Sequence, residues 1–441
     1  MTASTFAAPW NPIDWPLTTG PLPYVVLVTG WAALLVLAVG RGRSWWRVRL
    51  PSAVCTAAAL LAVLTFVVDD WWFPFPGGIP PEVVGWTGVA LLGLSLVVHR
   101  MSGLTWRRRL LAIGLGALVA LMAVVQVNIG FGQFPTGRIA LAPWLTRTER
   151  SIPPPVALTT SAPPGRPLAE VWVPPAGLPA KGSIREVPIP GTQSGFDARD
   201  AYIYLPPAYE ATPRPLLPVL ILLSGQPGAP GDWVFGGRVN ERLDDFAAEH
   251  GGLAPIVVMA DQLGSTWNNT LCLDSRIAQT YTYLTVDVPD WIHQNLQTAT
   301  GRDSWAVGGA SMGGTCALQM AVNDPDHFST VLDISGQDEP TLGTREETIE
   351  EAYGGDSASF DAVDPLQVMA GRKFPDTAIA MLVGEDDDEF RPQLENVRTA
   401  VIEAGMTATF ELVPGGHGWT VFGTAFEREI PWLARRTGLI S

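Results

Sequence analysis

Four long apolar stretches dominate the first 130 residues: 22–39, 50–68, 83–98 and 110–127. Each is close to the roughly 20 residues that a helix needs to cross the hydrocarbon core of a bilayer. One such run would fit a buried core helix just as well. Four in succession, with charges only in the gaps, point instead to an all-α transmembrane domain of four helices over residues 1–130. The gap charges set an orientation. Arg41, Arg43, Arg47 and Arg49 follow the first stretch, and Arg100, Arg107, Arg108 and Arg109 follow the third. Asp14, Asp69, Asp70 and Glu82 all fall on the opposite side. Short arginine-rich loops stay in the cytoplasm, so the amino terminus is expected outside, and after four crossings the rest of the chain as well. Trp71, Trp72 and Phe73, beside Asp69 and Asp70, read as an aromatic belt at the outer interface. A cleaved signal peptide fits poorly, because no basic segment precedes the first stretch and three more spans follow it.

The remainder is of a different kind. Residues 131–441 carry 20 basic and 39 acidic side chains, a net of −19. That balance argues against nucleic acid as a partner and against tight docking on anionic headgroups. It serves solubility, and it would also tolerate or attract a cationic group on a substrate. Of three cysteines, Cys55 falls within a span. Cys272 and Cys316 either pair outside the cytoplasm or stay as two buried thiols, and spacing does not choose between these. Nothing has metal-ligand spacing, so neither metal nor cofactor is expected.

Residues 131–182 read as a stiff, extended linker, with Pro153-Pro154-Pro155, Pro163-Pro164 and Pro174-Pro175 barring helix and sheet interior. From residue 183 to 441 strands and helices alternate. Strand-like runs are 184–189, 201–205, 217–223, 256–260, 304–308, 330–334, 378–383 and 409–413. Helical runs are 239–250, 282–297, 315–322, 391–404 and 425–435. The first two strands suggest a hairpin, and the rest suggest an α/β fold with a central, mostly parallel sheet.

Within that pattern Gly309-Ala310-Ser311-Met312-Gly313 lies between a strand and a helix. A G-x-S-x-G in this setting is a nucleophile elbow: the chain turns so sharply beside the serine that no Cβ fits at the glycines. A serine hydroxyl attacks only when an imidazole takes its proton and a carboxylate holds that imidazole, in the chain order Ser, Asp or Glu, His. Of the five histidines, His99 is at a membrane edge, His250 ends a helix, His293 lies within one and His327 is on a turn. His417, in Pro-Gly-Gly-His-Gly-Trp between the last strand and the last helix, stands where the base belongs. The acid is expected after the preceding strand, in Glu385-Asp386-Asp387-Asp388-Glu389. A run of acids is commonly a solvated loop, but carboxyl ends of parallel strands form the crevice of such sheets. Asp387 is the choice, with Asp386 and Asp388 as alternatives. The oxyanion of acyl transfer needs backbone N–H donors. Met312 supplies one, and the turn Ser224-Gly225-Gln226-Pro227-Gly228 the other, at Gln226 because Pro227 has no N–H.

These features carry a family resemblance. Residues 201–209 (AYIYLPPAY), the apolar strand ending in Ser-Gly, Asp232-Trp233, the helix YLTVDVPDWIHQNL, and GGASMGG followed by PDHF resemble the esterase D family of α/β-hydrolases. That family includes the secreted mycobacterial mycolyltransferases and the feruloyl and S-formylglutathione esterases. The resemblance covers residues 183–435 and implies Ser311 as nucleophile, His417 as base, and Met312 and Gln226 as oxyanion donors. Ser224 departs from the family, where histidine often precedes the glycine. Mycolyltransferases often use glutamate as the acid, which keeps Glu385 as a further alternative. A four-helix anchor is absent from the secreted members.

The expected function is that of a membrane-anchored, extracytoplasmic serine esterase acting through an acyl-enzyme. Its expected substrate is an amphiphilic ester of the cell envelope, such as an aminoacylated phospholipid or a glycolipid ester, brought close by the lipid bilayer that holds the enzyme. An acyltransferase would carry the same residues. A non-catalytic receptor on a hydrolase scaffold would not need an intact serine, acid and histidine.

Overall fold

The computed structural model of the protein describes residues 11–72, 78–102, 104–142 and 148–441. The chain divides into two compact units, Met1–Thr146 and Arg147–Ser441. The first holds four helices: α1 (Pro21–Ala38), α2 (Leu50–Phe66), α3 (Pro81–Arg100) and α4 (Trp106–Phe131). Proline stands in the first turn of α1 and α3, where its missing N–H costs no hydrogen bond. Helix α4 packs on α1 and on α3, and α3 packs on α2. Val28, Leu35, Val63 and Val124 point outward in a layer that is apolar on its outer faces too. All four helices are long and apolar enough to cross a membrane. At one end Arg100 Nε donates to Leu37 O (2.7 Å), and its guanidinium lies over the Trp45 ring (4.3 Å), satisfying a carbonyl that the end of α1 leaves open. Arg138 pairs with Asp14 (2.5 Å), tying the segment after α4 to the one before α1. Of the expected aromatic belt, Trp71 is exposed. Phe73 and the side chains of Asp70 and Trp72 lie outside the described residues.

The second unit is built on one eight-stranded sheet. Its strands are β1 (Ser183–Val187), β2 (Ala201–Leu205), β3 (Val219–Leu223), β4 (Ile256–Met259), β5 (Trp305–Ala310), β6 (Thr330–Ile334), β7 (Ala378–Gly384) and β8 (Thr407–Val413). Their order is β1-β2-β4-β3-β5-β6-β7-β8. Pairs β1/β2 and β2/β4 are antiparallel, and every other pair is parallel. The central strands β3, β4, β5, β6 and β7 are buried along their whole length, as unbroken apolar runs require when helices cover both faces. Edge strand β8 alternates exposed and half-buried residues instead.

The covering helices include α5 (Val239–Glu249), α6 (Val288–Asn295), α7 (Met312–Asn323), α8 (Phe390–Glu403) and α9 (Trp419–Arg436). Two of them start earlier than their apolar periodicity suggests: α7 immediately after Ser311, and α9 at Trp419, six residues before the expected 425. Between β6 and β7 lie three short helices that periodicity does not signal, Arg345–Tyr353, Ser357–Asp361 and Pro365–Gly371. Their N-caps Thr344, Asp356 and Asp364 are the local cue, each accepting a backbone N–H of the first turn.

The proline-rich segment belongs to this unit from residue 148 onward. Its backbone groups find partners there: Arg214 N donates to Leu158 O (2.9 Å), Val156 N to Gln297 Oε1 (2.8 Å), and Leu168 N to Gly438 O (2.9 Å). Leu168 is buried in the core. A chain that cannot pair with itself is held extended by pairing with its neighbours.

Cys272 and Cys316 form a disulfide with a Cα separation of 5.6 Å. The alternative of two free thiols is thereby set aside. The bond ties the segment after β4 to helix α7. It closes a loop across a sequence separation of 44, for which chain entropy gives a stabilisation of about 4 kcal/mol. The double substitution of Cys272 and Cys316 by alanine should lower the unfolding midpoint of the second unit by several degrees, read by thermal denaturation of the full chain. An unchanged midpoint would contradict the role of the cross-link.

Candidate active site

The parallel register brings the carboxyl ends of five strands to one edge. Leu223 of β3 lies opposite Gly309 of β5, Ala310 opposite Ile334 of β6, and Gly384 of β7 opposite Val413 of β8. The segments 224–228, 311–312, 385–389 and 414–418 therefore leave the sheet side by side.

At the centre β5 turns into α7 at Ser311, whose backbone is held at φ 55 and ψ −128. A positive φ at a serine is a strained conformation that the surroundings must impose. Two close approaches impose it. A Cβ on Gly309 would meet the Gly313 carbonyl carbon at 2.3 Å, and a Cβ on Gly313 would meet Leu223 O at 2.3 Å. Ser311 N donates to Ile334 O (2.8 Å), fixing the turn from the other side. Met312 is the first residue of α7, where a backbone N–H has no acceptor within the helix.

The loops after β7 and β8 are zipped together. Glu385 N donates to Val413 O (2.8 Å), and Asp386 N to Gly415 O (2.9 Å). This continues the ladder past the strand ends and sets Asp387 against His417. His417 Nδ1 lies 2.8 Å from Asp387 Oδ2, and His417 Nε2 lies 2.9 Å from Ser311 Oγ. Asp387 Oδ1 also accepts from Phe390 N (3.3 Å). Of the acidic run, Asp387 alone is buried; Glu385, Asp386, Asp388 and Glu389 are exposed. The His417 ring is stacked on Phe390 (centroids 3.9 Å, planes 21° apart) and meets Phe422 edge-on (5.1 Å). These two rings restrict the imidazole to the plane that serves both hydrogen bonds. The other histidines are bound elsewhere: His99 to Ser95 O, His250 stacked on Phe246, His293 beside Trp305 and His327 on Asp324. A carboxylate–imidazole–hydroxyl chain of this kind can draw a proton from the hydroxyl while the carboxylate steadies the imidazolium.

Gln226 follows Gly225, at which a Cβ would stand 3.2 Å from Ser311 Cβ, so its loop borders the serine directly. The Gln226 side chain donates to Trp267 O (3.2 Å). At Ser224 the amide of Gln262 donates to the backbone, reaching Ser224 O (2.5 Å). Arg199 carries no motif that would have singled it out. It grips buried Asp261 through Nε (3.0 Å) and Nη2 (2.6 Å) and reaches Gly228 O through Nη1 (3.0 Å). It thereby braces the Gly225–Gly228 turn against the segment after β4. Among the described residues no cluster of His, Cys, Asp and Glu has the arrangement of a metal site.

One fully buried acid supports the elbow from below. Asp333 of β6 accepts from Gly336 N (3.0 Å) and packs so close to Gly314 of α7 that a Cβ there would stand 2.2 Å from its Oδ1. Its second oxygen has no hydrogen-bond partner among the described residues. Burial pushes its carboxyl up to about 7, with the Gly336 N–H pulling the other way.

The sheet order, the strained serine and the loops converging on it define the α/β-hydrolase class. The same fold is found in a ferulic acid esterase, with TM-score 0.51 and 19% identity over 59% of this chain and 100% of that one. An S-formylglutathione hydrolase from Agrobacterium tumefaciens gives TM-score 0.48 and 20% identity, over 59% and 97% of the two chains. The family model described as "Putative esterase" matches residues 197–433, more than half of the chain, and the protein belongs to that esterase family. It is by family a serine carboxylic-ester hydrolase, a class whose acyl-enzyme chemistry also accommodates acyl transfer. An uncharacterised protein of Corynebacterium glutamicum is 34% identical over 419 residues, spanning 92% of this chain and 94% of that one.

The buried acid yields a pH signature. Folded Asp333 holds its proton up to about 7, whereas an unfolded aspartate releases it near 4. Between those values the folded state binds more protons, so this residue's contribution to stability falls as pH rises through the window. Asp333→Asn removes the titration. Its melting temperature relative to wild type should rise from about pH 4 to about pH 7 and then level off. A pH-independent difference would show that Asp333 is ionised throughout.

Proposed function

We propose that the protein is a membrane-anchored esterase with an extracytoplasmic active site, in which Ser311, His417 and Asp387 are the catalytic triad. The observation that carries this reading is the unbroken hydrogen-bonded chain from Asp387 through His417 to the strained Ser311. In the proposed cycle His417 Nε2 takes the Ser311 hydroxyl proton as Oγ attacks the ester carbonyl carbon. The N–H groups of Met312 and Gln226 hold the oxyanion of the tetrahedral intermediate. The C–O bond to the alcohol then breaks, and His417 returns its proton to the departing oxygen. Water, activated by the same imidazole, hydrolyses the acyl-serine and restores the hydroxyl.

The anchoring and sidedness rest on the four span-length helices, on the arginines of residues 1–130, which fall in two of the gaps, and on the cross-link. A disulfide such as Cys272–Cys316 persists in oxidising compartments and is rare in a reducing cytoplasm. The substrate we propose is an amphiphilic ester of the cell envelope, with an aminoacyl-phospholipid favoured by the acidic charge of the catalytic unit. Tethering to the bilayer would raise the effective concentration of such an ester.

Two experiments test this. A fluorophosphonate probe should label the full-length protein but not Ser311→Ala. Asp387→Ala should lose at least about a hundredfold in kcat, while Asp386→Ala and Asp388→Ala stay within about threefold of wild type. Equal losses at all three positions would remove Asp387 from the triad. Separately, incubation with extracted envelope lipids, followed by mass spectrometry, should show one ester class consumed by wild type and spared by Ser311→Ala. Appearance of the acyl group on a sugar acceptor rather than as free acid would identify a transferase, and consumption of no lipid would remove the substrate proposal.

A further inference from the structure

The pairing of β3 with β4 ends at Ile221 and Val258. Past that point side chains hold the carbonyls of β3. Trp233 Nε1 donates to Leu223 O (2.8 Å), and the Gln262 amide donates to Ser224 O. Leu223 O is also the atom on which the elbow closes, since a Cβ on Gly309 or on Gly313 would collide with it. Trp233 comes from the short helix Asp232–Phe235 and is fully buried. Its ring meets Trp419 edge-on (centroids 5.1 Å, planes 88° apart) and lies 5.6 Å from Phe426. Trp419 opens helix α9 two residues after His417. It meets Phe422 edge-on (5.6 Å), and Phe422 in turn meets His417. The chain closes over the two indoles because Gly236 and Gly237 have no side chains. A Cβ on Gly236 would stand 2.7 Å from the Trp419 ring, and one on Gly237 2.7 Å from the Trp233 ring. A buried indole N–H needs an acceptor; this one takes the carbonyl beneath the elbow.

We infer that Trp233 is a positioning residue for the oxyanion site, a reading that rests on the esterase mechanism above. It acts through the backbone and through Trp419. Its N–H fixes the plane of the Leu223–Ser224 peptide, from which the chain runs through Gly225 to the proposed donor, Gln226 N–H. Its ring, set against Trp419, ties that strand end to the start of the helix that follows His417. One side chain thus joins the loop that bears an oxyanion donor to the loop that bears the base. Such donors work only when they are aimed before the oxyanion forms. Without the indole N–H, Leu223 O stays buried and loses its donor, and the peptide that leads to Gln226 is no longer held in one plane. The contacts that bind the ground-state ester are untouched, so the loss falls on the chemical steps.

The test uses the full-length protein in detergent micelles, with active sites counted by the endpoint of fluorophosphonate labelling. Two variants remove the N–H: Trp233→Phe, and benzothienylalanine installed at position 233 by stop-codon suppression, in which sulfur replaces the indole N–H at nearly the same volume. In both, kcat per labelled site on p-nitrophenyl acetate should fall about tenfold while KM stays within about twofold. The ratio of kcat/KM for p-nitrophenyl acetate to that for its thionoester should also fall, about fivefold, because sulfur accepts hydrogen bonds weakly and depends less on the donors. A purely structural role lowers the number of labelled sites and leaves both the rate per site and the ratio unchanged; that result, with wild type active, overturns this inference alone. If Trp233→Phe does not fold, the sulfur isostere decides by itself. Wild-type protein that neither turns over the ester nor takes the label overturns the esterase mechanism and this inference with it.

Discussion

The contact between Gly309 and Gly313 is the constraint on which the site depends. With no Cβ on either residue, β5 and α7 close against each other and against Leu223 O, and the serine between them is driven to φ 55. That conformation costs of order 1–3 kcal/mol. It is met by the buried sheet on one side and the Ser311 N–H to Ile334 O bond on the other. The strain lifts Oγ off the end of the sheet toward His417. Every other part of the site is arranged around a hydroxyl whose place has already been set.

Rigid loops complete the arrangement, and each is fixed by a different force. Backbone ladder bonds between the 385–386 and 413–415 segments carry Asp387 to His417. Aromatic stacking restricts the imidazole. A buried ion pair and a covalent bond hold the segment after β4. The ion pair at Asp261 is well made because its carboxylate also accepts from Leu263 N and Gly264 N, so burial leaves neither oxygen unpaired. Asp333 is the opposite case: among the described residues its second oxygen has no partner, and burial favours the protonated carboxyl.

Much of this was legible in the residues, because the strongest signals are local. Strand β3 is an unbroken apolar run, the elbow glycines are an obligate feature of a sharp turn, and chain order places an acid and a histidine after the serine. What escaped the sequence is long-range or too short for periodicity. Nothing near Arg199 marks it as a brace for a turn some thirty residues away. The pairing of Cys272 with Cys316 follows from where the segment after β4 lies, which no spacing encodes. The early starts of α7 and α9 were hidden because glycines and aromatic residues there serve the site rather than a regular apolar face. Among four neighbouring acids, only the ladder between the two loops decides that Asp387 points inward.

The two units have opposite solvation requirements. Large apolar residues cover the outer faces of α1 to α4, whereas the second unit buries its apolar residues and exposes acids. Either unit alone would be satisfied by a single environment, apolar for the first and aqueous for the second. The corynebacterial relative aligns over 92% of this chain, which leaves too few residues outside the alignment to omit the four helices. The alignment, at 34% identity, therefore runs through the helical unit as well as the esterase unit. Were those helices to lie in a bilayer, any lipid-borne ester would meet the site at a raised effective concentration.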